Sequence, residues 1–222
     1  MKLKTLLFLC LIALVISSSA AHAQTFSVIH TFTGGADGNG PWAGVTIRGG
    51  TLYGTARAGG NNYFPQGAVY EITHVGSNWT TIPIYLFNFH ESDGAYPYAR
   101  VVFGPDGHLY GTTYLGGTDN AGIIFDLIPP LSLCKTANCS WKENMLYSFM
   151  GYPSDGDEPG YGDLIWDQQG NIYGTTTHGG PSVFGTVYQL TKSGNSWTEA
   201  PIYSFSGPDG EQPVVGFKRD DE

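Results

Sequence analysis

Short segments of alternating apolar and polar residues, separated by glycine-rich turns, run along most of this chain of 222 residues. In one recurring type of segment an aromatic residue stands two positions before an aliphatic one, as in Tyr70 and Ile72 or Tyr188 and Leu190. Residues two positions apart point to the same side of a β-strand, so each pair lies on one face. The pattern predicts many short strands joined by tight turns.

These segments recur as an ordered set. A Leu/Ile-Tyr-Gly-Thr motif begins at Leu52, Leu109 and Ile172. Each time it is followed by Gly-Gly, by a Gly-x-apolar-aromatic segment, by a Trp and by an apolar-Tyr-x-Phe segment. An Asp-Gly-x-x-Pro turn completes the set, and its aspartates are Asp37, Asp93, Asp155 and Asp209. One order of markers in three copies indicates a repeated supersecondary unit.

Each unit is interpreted as four antiparallel strands, with tight turns such as Arg48-Gly-Gly after the first strand. We therefore predict an all-β fold, a β-propeller-like array of four-stranded antiparallel blades with about three complete repeats. The predicted repeats are residues 29–83, 84–145 and 146–201, with a truncated fourth at 202–222. Closed propellers have roughly 4–8 blades, so the array is expected to be an incomplete propeller. Unpaired strand edges would then favour edge-to-edge self-association.

Composition supports this fold and excludes one class of function. The chain has 32 Gly, 14% aromatic residues and only 13% charged residues, which favours strands and turns over a helical bundle. The formal net charge is −9. Nucleic-acid binding through phosphate contacts needs clustered Lys and Arg, so we expect no nucleic-acid partner.

Residues 1–23 have the features of a secretory signal peptide. Lys2 and Lys4 form a basic start, residues 6–16 are apolar, and Ala21-His22-Ala23 is a small-x-small cleavage site. Cleavage near Ala23 would leave a secreted repeat domain at 24–222 with a net charge of −11, because two lysines are lost from −9. No later stretch approaches ~20 apolar residues, so no membrane span is expected in the mature chain.

Two cysteines remain after the predicted cleavage. Cys134 and Cys139 lie close together in Cys134-Lys-Thr-Ala-Asn-Cys139, and an exported pair favours a local disulfide in a surface loop. The alternative is half of a zinc site, which is disfavoured because no second Cys or His pair has suitable spacing.

The Leu/Ile-Tyr-Gly-Thr…Gly-Gly…Gly-x-Val-Tyr pattern resembles that of the GloVer tandem-repeat proteins, which are large exported bacterial proteins. The resemblance covers residues 25–213 and rests on three near-perfect copies of the motif. It implies an extracellular or surface-attached β-propeller-like array, often with a C-terminal sorting anchor. It implies no reaction and supplies no catalytic residues.

Acidic residues offer a candidate cation site. The four turn aspartates could form a ring that binds a cation or a sugar hydroxyl, or they could simply cap their turns. The densest acidic cluster is Asp155, Asp157 and Glu158, whose oxygens suit Ca²⁺. The cluster lacks the full Asp-x-Asp-x-Asp-Gly loop, so a solvated acidic loop is the alternative. No other cofactor is predicted.

Aromatic residues in the connecting segments are the preferred binding candidates. Flat rings with a polar tip suit sugar faces and protein partners. The alternative is that these rings only cover the ends of the blades. The candidates are Trp42, Tyr96, Tyr98, Tyr152 and Tyr161.

No sequence motif for catalysis is present. The histidines lack metal-binding spacing, and neither Gly-x-Ser-x-Gly nor a phosphate-binding Gly-x-x-x-x-Gly-Lys occurs. The leading hypothesis is a secreted, non-enzymatic repeat scaffold that binds an extracellular glycan or protein. One alternative is a polysaccharide-acting enzyme that uses acids such as Asp155, Asp163 and Asp167. The other is a fragment of a longer repeat protein without a function of its own.

Overall fold

The computed structural model describes residues 25–60, 65–88, 93–130 and 140–217. In these ranges all regular structure is β, with no helix. The strands are β1 (Thr46–Arg48), β2 (Thr51–Ala56), β3 (Ala68–Val75), β4 (Asn78–Leu86), β5 (Gly94–Ala95), β6 (Val102–Phe103), β7 (Leu109–Thr112), β8 (Leu115–Gly116), β9 (Ile123–Ile128), β10 (Lys142–Ser148), β11 (Gly156–Asp157), β12 (Ile165–Trp166), β13 (Ile172–Thr176), β14 (His178–Gly179), β15 (Thr186–Ser193) and β16 (Ser196–Ser204).

Three four-stranded antiparallel sheets correspond to the three sequence units. Their strand orders are β1-β2-β3-β4, β6-β7-β9-β10 and β12-β13-β15-β16. The prediction of four antiparallel strands in each unit is confirmed. The first strand of each sheet is short and spans Thr46–Arg48, Val102–Phe103 and Ile165–Trp166.

A glycine in each Tyr-Gly-Thr motif makes room for the ring on the next strand. Gly111 pairs with Phe125 across β7 and β9, and a Cβ added to Gly111 would lie 2.6 Å from Cζ of that ring. Gly54 meets Tyr70 and Gly174 meets Tyr188 in the same way. The recurring glycine is therefore required by close packing within the sheet.

The sheets pack face to face in chain order. One buried cluster joins the first and second sheets and includes Val69, Phe87 and Phe125. A second cluster joins the second and third sheets and includes Phe149 and Tyr188. The middle sheet is therefore covered on both faces. A third, smaller cluster of Ala56, Tyr70 and Ile72 lies on the first sheet alone and packs against Phe32.

The Asp-Gly-x-x-Pro linkers form backbone pairs with the sheet that follows them. The sequence patterns did not predict this pairing. Gly94 of β5 pairs with Gly116 of β8, and Gly156 of β11 pairs with Gly179 of β14. An isolated bridge between Asn39 and Ala58 occupies the equivalent place in the first unit. Each Gly-Gly motif thus provides the backbone edge on which the preceding turn rests.

The proline of each linker packs on the preceding unit. A Cβ on Gly67 would lie 2.7 Å from Cδ of Pro97, and one on Gly122 would lie 2.5 Å from Cδ of Pro159. Tyr96, which precedes Pro97, donates its N–H to Gln66 O at 2.7 Å and accepts a hydrogen bond from Tyr114 N at 3.0 Å. The linker therefore connects two sheets through both of its backbone groups.

The segment before the first unit differs from the prediction. Residues 26–32 contain Ile-His-Thr-Phe, a weaker copy of the apolar-Tyr-x-Phe segment that predicts an outermost-type strand, but these residues adopt no strand structure. Phe32 instead packs its ring on Tyr70 at 4.9 Å, as Phe87 packs on Phe125 at 5.3 Å. Among the described residues no strand pairs with this segment, so the prediction was wrong for lack of a pairing partner.

Two sequence predictions lie outside the described residues. These are the signal peptide at 1–23 and the disulfide between Cys134 and Cys139. The ends of β9 at Ile128 and β10 at Lys142 place the cysteine segment between the third and fourth strands of the middle unit. The described ranges contain no helix with the length and apolarity that a membrane crossing needs.

Candidate functional site

Three predicted aromatic residues occupy equivalent positions in the three units. Trp42, Tyr98 and Tyr161 each lie shortly before the first strand of their sheet, in irregular backbone. The repeat brings these three positions to the same end of the stacked sheets. Together with Tyr114 they form a continuous group of rings, which we call the aromatic cluster.

Tyr98 lies at the centre of the aromatic cluster. Its ring stacks on Tyr161 with centroids 4.9 Å apart and the planes 26° apart. Trp42 approaches Tyr98 edge-on at 5.9 Å, and Tyr114 does so at 5.5 Å. Tyr114 also contacts Tyr161 at 5.7 Å, so the four rings support one another. Trp42 is 67% exposed and gives the cluster its accessible surface.

Sequence reasoning missed Tyr114. This residue directly follows the Tyr-Gly-Thr-Thr stretch of the second unit and is equivalent to Arg57 in the first unit. Arg57 is exposed, and its guanidinium carbon lies 5.9 Å from the centre of the Tyr98 ring. Alignment of the units at their Gly-Gly motifs would have placed both residues beside the predicted aromatics.

Polar groups continue the site on the side of Tyr114. The Tyr114 hydroxyl donates a hydrogen bond to the Glu158 carboxylate, and burial together with this acceptor raises the pKa of Tyr114. Glu158 Oε2 lies 2.5 Å from His178 Nδ1, and His178 Nε2 lies 3.1 Å from Gln212 Nε2. The aromatic cluster is therefore bordered by a carboxylate, an imidazole and an amide.

Two other predicted aromatics lie apart from the aromatic cluster. Tyr96 is half-buried and lines a cavity of about 720 Å³ with Gln66, Leu115 and Asn120. Tyr152 lies in a turn after the second sheet and is 61% exposed. The structure thus joins three of the five predicted aromatics and separates the other two from them.

The turn aspartates are held by the chain itself. Asp155 is buried, accepts the Tyr147 hydroxyl at 2.6 Å and accepts the backbone N–H groups of Met150 and Gly151 at 2.9 Å each. Asp209 accepts hydrogen bonds from the Tyr203 hydroxyl and Ser206. This geometry supports the interpretation of these aspartates as turn-capping residues.

The acidic cluster is divided among different partners. Asp155 caps its turn, whereas Glu158 contacts Tyr114 and His178. Burial, followed by the nearby Glu158 charge, raises the pKa of Asp157. The described part of the chain holds no group of three or more His, Cys, Asp or Glu side chains arranged to bind a metal ion.

The acids considered for catalysis do not converge. Asp163 pairs with Arg100, with Oδ2 to Nη2 at 2.5 Å. Asp167 bonds with Asn171 and Tyr173 in the turn between β12 and β13. No hydrogen bond or shared partner among the described residues links Asp155, Asp163 and Asp167. This arrangement lends no support to a paired-carboxylate mechanism on a polysaccharide, which needs two carboxyls ~5–9 Å apart across one bond.

The stacked sheets and the aromatic cluster built from equivalent positions define an all-β tandem-repeat protein. The sequence model of the Gloeobacter/Verrucomicrobia repeat matches residues 15–137, which is more than half of the chain. The chain belongs to this repeat family, as the motif resemblance predicted. A comparison with the curated proteins finds no match.

Proposed function

We propose that this protein is a secreted repeat scaffold that binds an extracellular glycan through the aromatic cluster. The observation that carries the proposal is the convergence of Trp42, Tyr98 and Tyr161, which come from equivalent positions of three units. Repeat proteins commonly use the same surface of successive units for binding. A single exposed aromatic residue is common on protein surfaces and would not by itself indicate a binding site.

The chemistry of the site suits a neutral sugar chain. Exposed ring surface attracts the apolar face of a pyranose, and polar groups at its border can bind hydroxyl groups. Trp42 offers the accessible ring, while Arg57 supplies hydrogen-bond donors and Glu158 supplies acceptors. Because the positive charge of Arg57 and the negative charge of Glu158 belong to the same site, the site has no strong preference for an anionic ligand.

The proposed larger architecture is a propeller-like array in which the innermost strands of the sheets surround an axis. Contacts beside these first strands support it, since Arg100 pairs with Asp163 and Thr46 Oγ1 on β1 donates to Val101 O at 2.5 Å. A groove of about 860 Å³ lies between the inner strands and is lined by Ile47, Phe103 and Trp166 among others. The aromatic cluster would then lie at one end of that axis.

A binding experiment on the purified mature chain tests this function. The wild type is screened on an array of neutral oligosaccharides and cell-wall glycans, and the best ligand is titrated by calorimetry. We expect Trp42→Ala and Tyr98→Ala to weaken binding about tenfold or more, because few residues carry most of the energy of a binding site. Tyr152→Ala is the matched control, since Tyr152 is similarly exposed but lies outside the aromatic cluster.

The controls separate a site effect from a folding effect. Trp42→Ala should melt at the wild-type temperature because that side chain is largely exposed. The absence of wild-type binding to every glycan tested would contradict the proposal. An equal loss of affinity in Tyr152→Ala would also contradict it, because the binding surface would then lie elsewhere.

A further inference from the structure

A row of polar side chains beside the third sheet has no counterpart beside the second. Glu158 Oε2 lies 2.5 Å from His178 Nδ1, and His178 Nε2 lies 3.1 Å from Gln212 Nε2. We call these three residues the polar row. In the second unit, Tyr96 and Leu115 stand at the positions of Glu158 and His178. The polar row is therefore not part of the repeated pattern.

The fold does not require the side chains of the polar row. His178 on β14 pairs with β11 through the backbone, and Leu115 on β8 pairs with Ala95 on β5 in the same way. Gln212 donates its backbone N–H to Phe184 O at 2.9 Å, a bond that any residue except proline can make. The same backbone contacts form with apolar side chains in the second unit. The polar side chains are thus available for another role.

These positions stay accessible where a further unit follows. Tyr96 and Leu115 are both half-buried and line the cavity of about 720 Å³, although the third unit follows theirs. Tyr96 is also the equivalent of Gln212, since each precedes a linker proline. In the polar row the side chain of His178 is 41% exposed, and Gln212 is exposed. Access to the polar row is therefore a property of the repeat itself.

The contacts of the polar row fix the tautomer of His178. An ionised carboxylate only accepts hydrogen bonds, so Nδ1 of His178 carries the proton that faces Glu158. Nε2 of the neutral imidazole is then an acceptor, and the Gln212 amide donates one N–H to it. The Tyr114 hydroxyl donates to the same Glu158 carboxylate, which connects the polar row to the aromatic cluster. The orientation of the Gln212 amide is thus set from the aromatic cluster outward.

This orientation leaves two groups of Gln212 for a ligand. One is the second N–H of the amide, and the other is its carbonyl oxygen, which accepts no hydrogen bond among the described residues. The two groups lie side by side on a planar amide, so they match two adjacent hydroxyl groups of a sugar ring. An N-acetyl group directs its own N–H and C=O to opposite sides of a trans amide and cannot match both.

We propose that the polar row is the hydroxyl-binding part of the glycan site and that Gln212 binds two adjacent hydroxyl groups of a neutral sugar ring. The proposal rests on the proposed function, since the aromatic cluster holds the neighbouring part of the same sugar chain. His178 and Glu158 act through Gln212 and are positioning residues. The ligand class is therefore a neutral chain of hexopyranoses with free adjacent hydroxyls, rather than an N-acetylated chain.

Nitrogen NMR of the ligand-free mature chain tests the polar row without any glycan. At mildly alkaline pH we expect the neutral tautomer of His178 with its proton on Nδ1. Glu158→Gln should weaken this preference, because the carboxylate that fixes it is gone. A wild-type His178 with its proton on Nε2 would overturn the proposal, since that nitrogen could not then accept the Gln212 N–H.

Selectivity between two matched oligosaccharides tests the ligand class. Cellohexaose has adjacent free 2- and 3-hydroxyls, whereas chitohexaose has an N-acetylamino group in place of each 2-hydroxyl. We expect the wild type to bind cellohexaose about fivefold or more tightly than chitohexaose, because the hydrogen bonds to Gln212 are made only with the former. His178→Leu and Gln212→Ala should lose this preference. Gln169→Ala, which changes an exposed glutamine in the turn between β12 and β13, should keep it.

The outcomes separate this proposal from the proposed function. His178→Leu is expected to melt at the wild-type temperature, because leucine occupies the same position in the second unit. Equal affinity of the wild type for the two oligosaccharides, no binding of either, or a preference that survives in Gln212→Ala would overturn the role of the polar row. The proposed function would still hold if Trp42→Ala weakened the binding of another glycan from the array.

Discussion

The hydroxyl of Tyr147 donates a 2.6 Å hydrogen bond to Oδ2 of Asp155, eight residues along the chain. The tyrosine belongs to the outer strand β10, and the aspartate caps the turn that leads to the third sheet. Tyr203 and Asp209 form the same pair after the third sheet, and His30 and Asp37 form its counterpart before the first. The pair fixes the direction in which the chain leaves one sheet for the next.

Removal of the Tyr147 hydroxyl should destabilise the fold. Tyr147→Phe leaves an oxygen of the buried Asp155 without this donor, at a cost of roughly 1–3 kcal/mol in the free energy of unfolding. Tyr203→Phe removes the equivalent but exposed bond and should destabilise the fold less than Tyr147→Phe does. Urea unfolding of both variants measures the difference. Equal losses would show that burial does not determine the strength of the pair.

The repeated strands were predictable because their markers are local. Tyr-Gly-Thr, Gly-Gly and Trp recur at matched spacing, and the period of two gives the faces of the strands. The pairing of Gly94 with Gly116 was not predictable, since it joins a linker to a strand end that lies outside the regular meander. The segment at 26–32 has a strand-like sequence but no strand beside it, which a local pattern cannot reveal.

The candidate site was only partly predictable for a similar reason. Trp42, Tyr98 and Tyr161 were selected because they are aromatic residues in connecting segments, which also selected Tyr152. Only the stacking of the sheets decides which of these rings meet. Tyr114 was not selected because the residues at the same position in the other two units, Arg57 and Thr177, are not aromatic. Alignment of the units, rather than residue type alone, carries the information on the site.

The glycine of the second Tyr-Gly-Thr motif gives a direct test of packing within a sheet. In Gly111→Ala the new methyl carbon would lie 2.6 Å from Cζ of Phe125, a ring that is fully buried and cannot move aside. We expect a loss of about 1–3 kcal/mol, the usual cost of overpacking. Gly44→Ala is the control, since a Cβ there meets no atom within 4 Å. Equal chemical-denaturation midpoints for the two variants would contradict this account.

A half-buried glutamate between the first and second sheets should make stability depend on pH. Oε1 of Glu143 on β10 is buried without a hydrogen-bond partner among the described residues. Burial, with the charges of Asp93 and Asp126, raises the pKa of Glu143 from 4.5 to about 7. Glu199, at the equivalent position on β16, has a pKa raised to about 7 by burial and by Asp155. Each of these two carboxyl groups therefore retains, in the folded chain, a proton that the unfolded chain releases near pH 4.5.

The sign of the effect follows from that difference in proton binding. The folded state binds more protons between pH 4.5 and about 7, so the contribution of Glu143 to stability is present below pH 4.5 and is lost as pH rises through about 7. Glu143→Gln should remove roughly 1 kcal/mol of this decline, after allowance for the partial exposure of the group. Unfolding across that pH range measures it, with the exposed Asp119→Asn as control. An unchanged pH profile in Glu143→Gln would contradict the assignment.

At the residue before each linker proline, a glycine substitution should be tolerated better than substitution by a β-branched residue. Gln212 has a φ of 51°, and Tyr96 and Glu158 share this left-handed conformation, which Gly40 adopts in the first turn. The conformation costs an L-residue about 1–2 kcal/mol and a β-branched residue more. We therefore expect Gln212→Val to be less stable than Gln212→Gly by at least about 1 kcal/mol in thermal unfolding. At Gln169, an exposed turn residue without a positive φ, the same two substitutions should show no preference for glycine, because an added glycine there only increases the entropy of the unfolded chain.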